Sequence, residues 1–288
     1  MSAVALALVV CAAIVHALWN RLVHAIDDRV AVLAVAGFAG GAVLSPSLVV
    51  RPPWGAVGWP GPVWGFVVLS GLVQAAYCGL LAAAYARGSL AVTYPLGRGT
   101  APLLVTAGAW ALLGQRPGLL AAAGAASLAA GLALVAGVAR DLGQNGATGW
   151  ALGVGAAIAT YSVVDAGAVG RLAAAQGGPD PWTAAGYLSV QLVLQGTFLF
   201  AAMGMHGGTD RMRSGWAAAR RTGALVGLGV VAAYLLVLLA FQRADAGRVA
   251  TLRESSVHLA VVLTRGARPP TVWAGAGLVA LGAVLVAL

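Results

Sequence analysis

The chain alternates long apolar runs with short polar breaks, and ten of the runs approach or exceed the roughly 20 residues that a membrane-spanning helix needs. They cover 3–24, 29–50, 63–86, 89–114, 117–139, 148–171, 182–205, 220–242, 246–264 and 270–288. The breaks Asp27-Asp28-Arg29, Arg51-Pro52-Pro53, Arg116-Pro117, Arg140-Asp141, Pro179-Asp180-Pro181, Arg220-Arg221 and Pro269-Pro270 carry charges or prolines that solvate or stop a helix end. The ninth run is short and holds the polar stretch "LRESSVHLA", which predicts a broken or shielded helix.

Composition agrees with this pattern. Of 288 residues, 60% are hydrophobic and 9% charged, with a mean hydropathy of +0.90. Soluble domains are about half apolar and a quarter charged, so an integral, multi-pass protein of the cell membrane is expected. No loop is long enough to bury a soluble core of its own. The N-terminus has no basic region before its apolar run and no clear cleavage site, so the first run is expected to remain as a helix.

The net charge of +9 comes from arginines scattered at helix ends rather than gathered in a patch, which points to membrane topology and away from nucleic acid. Counting arginines, the odd-numbered loops are the richer, which places them inside and both termini outside. Cys11 and Cys78 both fall within apolar runs, where cysteine acts as a small apolar residue. Their spacing suits neither a disulfide framework nor a metal site. No glycine-rich stretch has the lysine and hydroxyl context of a P-loop, so ATP-driven pumping is not expected, and no cofactor is indicated.

An internal repeat organises the runs. "YARGSLAVTYPLGRGTAPLLV" from Tyr85 parallels "FQRADAGRVATLRESSVHLAVV" from Phe241, with Arg87 matching Arg243 and Val92 matching Val249. Tyr77 and Tyr234 are in register as well. Arg116-Pro117 precedes Gly124 and Gly131, while Arg268-Pro269 precedes Gly275 and Gly282 with the same spacing between glycines. The chain therefore reads as two five-helix repeats, 1–143 and 144–288. An odd helix count per repeat inverts the second copy, which is common in secondary transporters that bind substrate near the midplane at the repeat interface.

"HALWNRL" in the first run, "YPLGRGTAPL" in the fourth, "RESS" in the ninth and the glycine-spaced fifth and tenth runs resemble the EamA-type transporters of the drug/metabolite transporter superfamily. The resemblance spans nearly the whole chain, in the right order. It implies an all-α membrane protein, ten transmembrane helices as two inverted repeats around a central cavity, with the fifth and tenth helices peripheral. It also implies an inner-membrane efflux protein, with both termini inside, against the arginine count; the two agree only that the termini share a side. The chain departs from the family in having Gln115 where an acidic residue is common, and in a short stretch, "VVLTRGARPP", before the tenth run.

Arg98 sits inside the fourth run. Arginine at the centre of a membrane helix costs at least about 2.5 to 3.5 kcal/mol, so it should face a cavity or a partner. Tyr94 lies one turn before it, Pro95 and Pro102 bracket it, and Gly97 and Gly99 flank it. In the repeat, Tyr94 corresponds to Thr251, Gly97 to Glu254, Arg98 to Ser255 and Ala101 to His258. Equivalent helices meet near a pseudo-twofold axis, so Arg98 should approach Glu254. The pair either lines a binding site, with Arg98 holding a carboxylate or phosphate through its planar fork, or is a permanent ion pair that fixes packing. Intramembrane charge is functional by default, which favours the first. Arg253 lies about 100° around the helix from Glu254 and is expected to pair with another helix or reach the boundary.

His16, Trp19 and Asn20 share a face of the first helix and either line the cavity or bond to neighbouring helices. Tyr161 and Asp165 occupy the equivalent sixth helix. Gln74 and Tyr77 on the third helix, Gln191 and Gln195 on the seventh, and Tyr234 on the eighth form polar stripes that act as ligand contacts or as helix–helix glue. For proton coupling the order of candidates is Glu254, then Asp165 near a helix end, with His16 also able to exchange a proton.

The leading expectation is a secondary transporter, exporting small polar or amphipathic metabolites such as amino-acid-like compounds, coupled to protons and acting as a monomer or homodimer. An exchanger or importer of organic anions or phosphorylated metabolites, engaging Arg98 and Arg253 together, is the alternative. A non-transporting assembly protein or intramembrane enzyme is a third class, but His16, His258, Ser255 and Ser256 form no recognised catalytic motif.

Overall fold

The structure is a computed structural model that describes residues 1–24, 28–55, 58–87, 90–140, 148–254 and 270–288. Its elements are α1 (Ala3–His24), α2 (Arg29–Leu44), α3 (Ser47–Val50), α4 (Gly61–Arg87), α5 (Leu90–Leu113), α6 (Leu119–Arg140), α7 (Thr148–Ala175), α8 (Pro181–Phe241), α9 (Ala246–Glu254) and α10 (Pro270–Ala287). Among the described residues there is no strand. Among the described residues, three stretches, Gly61–Ala84, Gly149–Ala175 and Pro181–Phe241, are long and apolar enough to cross a membrane. Shorter apolar helices run over Ala3–His16, Arg29–Leu44, Leu119–Leu134 and Trp273–Ala287. Large apolar side chains stand on the outside, Leu112 at 75% and Leu119 at 91% exposure, while Arg98, Asp165, Arg253 and Glu254 are buried. That inverts the usual soluble arrangement and suits a lipid surround.

Helix boundaries follow local chemistry. Asp28 caps α2 by accepting from the Ala31 amide at 3.1 Å, and Asp180 caps α8 by accepting from the Trp182 amide at 3.0 Å, with Pro181 in the first turn where no N–H is needed. Arg51 adds an ion pair to Asp180 at 3.1 Å. After α7, Gly177 takes φ 75° and the Gly178 amide reaches back to the Ala173 carbonyl at 2.8 Å, closing the helix end.

Two predicted spans are differently bounded. The second ends at Leu44, and a turn leads into the short α3, because Pro46 cannot continue the hydrogen-bond ladder. The predicted seventh and eighth spans are the two arms of α8, which folds back on itself at Gly208. Gly208 has φ 65° and ψ −169°, a conformation essentially restricted to glycine. The Phe200 and Trp216 rings then meet at 6.0 Å across the hairpin. Arg211 and Arg213, which fall between the seventh and eighth apolar runs, and Arg220 and Arg221 at the start of the eighth all lie in the first half of the second arm. Each arm, 181–207 and 209–241, exceeds the roughly 20 residues a crossing needs.

The chain divides into two compact units. The first comprises 1–13, 79–163 and 244–288, the second 14–78 and 164–243, so each draws on both halves of the chain. In the second unit α2 packs on both arms of α8: a methyl group added at Gly37 would stand 2.6 Å from the Leu192 carbonyl oxygen, and one at Gly227 would stand 2.8 Å from that of Ala36. In the first unit α6 packs on α10. A methyl group at Gly131 would stand 2.4 Å from the Gly275 carbonyl, one at Gly124 2.7 Å from that of Gly282, and one at Gly282 2.5 Å from that of Gly124. Only glycine allows such backbone contact. Gly124 and Gly131 are spaced as Gly275 and Gly282 are, so the pairing is antiparallel and reciprocal.

Candidate functional site

Two buried polar clusters stand out, one in each unit. In the first unit, α5 and α9 bring Arg98 against Glu254. Arg98 Nη1 donates to Glu254 Oε2 at 2.8 Å, with side-chain exposures of 5% and 0%. Backbone proximity comes from glycine: a methyl group at Gly97 would stand 3.0 Å from the Ala151 carbonyl, and one at Gly99 2.6 Å from Leu132. The helix carrying Arg98 is thus seated directly on α7 and α6. Gln115 accepts from the Ala246 amide at 2.9 Å and so caps the start of α9.

Arg253 reaches another helix, α7, as one of its two expected roles has it, and it also pairs with Glu254. It lies around the helix from Glu254, yet its Nε donates to Glu254 Oε1 at 3.1 Å, and it is buried rather than at a boundary. Its Nη2 lies 3.5 Å from Ser162 Oγ, and its guanidinium stands 6.0 Å from the centre of the Tyr161 ring. One carboxylate therefore serves two guanidiniums, one on each oxygen, and the three groups sum to a single positive charge. The Arg98–Glu254 approach was legible from the repeat register. The additions of Arg253 and Ser162 were not, because an arginine is long enough to span the angle that separates neighbouring helix faces.

In the second unit Asp165, on α7, is fully buried rather than near an interface. It accepts from the Tyr187 hydroxyl at 2.7 Å, from the Tyr234 hydroxyl, and from Gln191 Nε2 at 3.0 and 3.1 Å. Gln191 Nε2 also contacts Ser70 Oγ. Among the described residues no arginine, lysine or histidine forms an ion pair with Asp165. Sequence reasoning named Asp165, Gln191 and Tyr234 but placed them in separate stripes, and it missed Tyr187 and Ser70. The signal was present: Tyr187, Gln191 and Gln195 recur every four residues, as do Ser70, Gln74 and Cys78.

Those two stripes meet. Gln195 Nε2 lies 3.7 Å from Cys78 Sγ, and a methyl group at Gly71 would stand 2.8 Å from Leu194. Gln74 Nε2, Gln191 Oε1 and Gln195 Oε1 are buried atoms with no hydrogen-bond partner among the described residues. Tyr77 packs half-buried beside the aliphatic core of this unit, and His16 is half-buried on α1. The side chains of Trp19, Asn20 and Tyr94, and the whole of 255–269 with Ser255, Ser256 and His258, lie outside the described residues.

No family model matches the chain, and no curated protein matches it. A solved crystal structure of a protein is similar to it over 99% of this chain and 97% of that one, with a TM-score of 0.66 and 21% identity, a likeness of fold.

Proposed function

We propose that the chain is a secondary transporter of the cell membrane, exporting small polar or amphipathic metabolites such as amino-acid-like compounds. In this reading it is an EamA-type protein whose ten apolar runs form two inverted five-helix repeats around a central cavity. The reciprocal contact of α6 and α10 supports that arrangement, since helices related by an in-plane twofold axis must meet in this self-matching way.

The observation that carries the proposal is the buried Arg98–Glu254–Arg253 cluster. A bundle that only had to pack would do as well without it, because replacing buried ion pairs by apolar side chains is often neutral or stabilising by about 1 to 4 kcal/mol. Charges kept inside an apolar chain therefore mark function. Arg98 offers a planar fork to a substrate carboxylate, and Glu254 holds both guanidiniums or faces a substrate amine. The excess of two guanidiniums over one carboxylate favours a second reading, an exchanger of organic anions or phosphorylated metabolites.

The test is counterflow with purified protein in liposomes, using a panel of zwitterionic amino acids and a panel of dicarboxylates and sugar phosphates. Labelled zwitterion should accumulate, and Arg98→Lys, which keeps the charge but loses the fork, should lower its uptake by about tenfold or more. Uptake confined to dianions selects the second reading. No counterflow with either panel rejects transport.

A further inference from the structure

We infer that Asp165 is the site at which the protein takes up a proton, and that the Gln191 amide is the switch that registers it. This rests on the transporter reading and deepens it, by giving the coupling ion a place. A guanidinium carries only donors, so a proton added to Glu254 would find no acceptor on Arg98 or Arg253 and would leave both cations beside a neutral acid. The surroundings of Asp165 are of the opposite kind. From α8 it faces Tyr187, Gln191 and Tyr234, and from α4 Ser70 lies on the same amide. The titratable groups among these are the two tyrosines. Every one of the four side chains can turn from donor to acceptor by rotating a hydroxyl or an amide.

Gln191 supplies the second observation. Its Nε2 contacts both Asp165 oxygens, at 3.0 and 3.1 Å, which is the arrangement an ionised carboxylate requires. Its Oε1, on the same fully buried amide, has no partner among the described residues. An orphaned buried acceptor is a standing cost to this arrangement. A proton arriving from the aqueous side and bonding to an Asp165 oxygen creates a donor there. Turning the amide by half a rotation then lets that O–H donate to Gln191 Oε1. The rotation also withdraws the amide N–H from Ser70 and hence loosens the contact between α8 and α4. One proton thereby changes both the charge of the cluster and the bonding between two helices, which is what coupling an ion to a conformational cycle demands.

The experiment uses the full chain in liposomes without substrate. Infrared difference spectra are recorded between about pH 5 and about pH 9, with hydrogen–deuterium exchange to identify the carboxylic-acid carbonyl band. The band should appear on acidification, persist in Glu254→Gln and vanish in Asp165→Asn. In Tyr234→Phe and Gln191→Leu it should remain but move in frequency, because the acid has lost a hydrogen-bond partner. Absence of a pH-dependent acid band, or its survival in Asp165→Asn, overturns the assignment. If Asp165→Asn does not fold, the other two variants decide: a band that neither of them moves overturns it equally. Because no substrate is present, the two readings fail separately. A titrating Asp165 without counterflow sinks the transporter, and counterflow without the band sinks the proton site.

Discussion

Replacing Glu254 by leucine removes the carboxylate that Arg98 and Arg253 share and leaves both guanidiniums in the same buried space. Two charge-assisted hydrogen bonds are lost, at 2.8 and 3.1 Å, each worth about 1.5 to 3 kcal/mol. None of the three groups is exposed enough for water to make good the loss, so the total should be about 3 to 5 kcal/mol. Arg98→Met is a milder change. It deletes the 2.8 Å bond to Glu254 and leaves a neutral Arg253–Glu254 pair, and the loss of that bond costs about 1.5 to 3 kcal/mol. In Arg98→Met/Glu254→Leu a single guanidinium is left behind rather than two, so the double variant should fall short of the summed single costs by at least about 1 kcal/mol. Unfolding in mixed micelles titrated with sodium dodecyl sulfate, followed by tryptophan fluorescence and circular dichroism, gives the cycle. Additivity within about 0.5 kcal/mol, or a larger loss in Arg98→Met than in Glu254→Leu, would show that the cluster does not hold these helices as described.

Two backbone sites make further tests. Gly131→Ala places a methyl group 2.4 Å from the Gly275 carbonyl and should destabilise by about 1 to 3 kcal/mol, whereas Gly137→Ala, on the same helix with open space beside it, should be neutral or slightly stabilising. Equal melting temperatures for the two variants would remove the α6–α10 contact from the account. Gly208→Ala meets no atom within 4 Å, so its expected cost of about 1 to 3 kcal/mol is purely conformational. A Gly208→Ala protein as stable as the parent would mean that the α8 hairpin turns in some other way.

The apolar runs located the helices well because a chain this poor in polar side chains must satisfy its buried backbone groups within the helix itself. It was least informative where charge and helix coincide. Arg211 and Arg213 looked like loop residues, yet a helix end at an interface tolerates arginine readily, and the reversal needs only Gly208. The repeat register brought Arg98 to Glu254 because it compares equivalent backbone positions. It could not place Arg253, whose side chain crosses to the neighbouring face. The Asp165 cluster shows the converse failure: each stripe was readable on its own helix, but which stripes face one another depends on helix rotation, and two nearly featureless apolar sequences do not encode that visibly.

The glycine contact between α6 and α10 has a consequence for self-recognition. Gly124 meets Gly282 and Gly131 meets Gly275, and the two glycines stand seven residues apart on each helix. Each helix therefore presents both components of the joint, and neither needs a partner different in kind from itself. A peptide carrying either helix alone should therefore be able to close the same antiparallel seam on a second copy of itself, so a fragment cut between α6 and α10 is expected to pair rather than stay single.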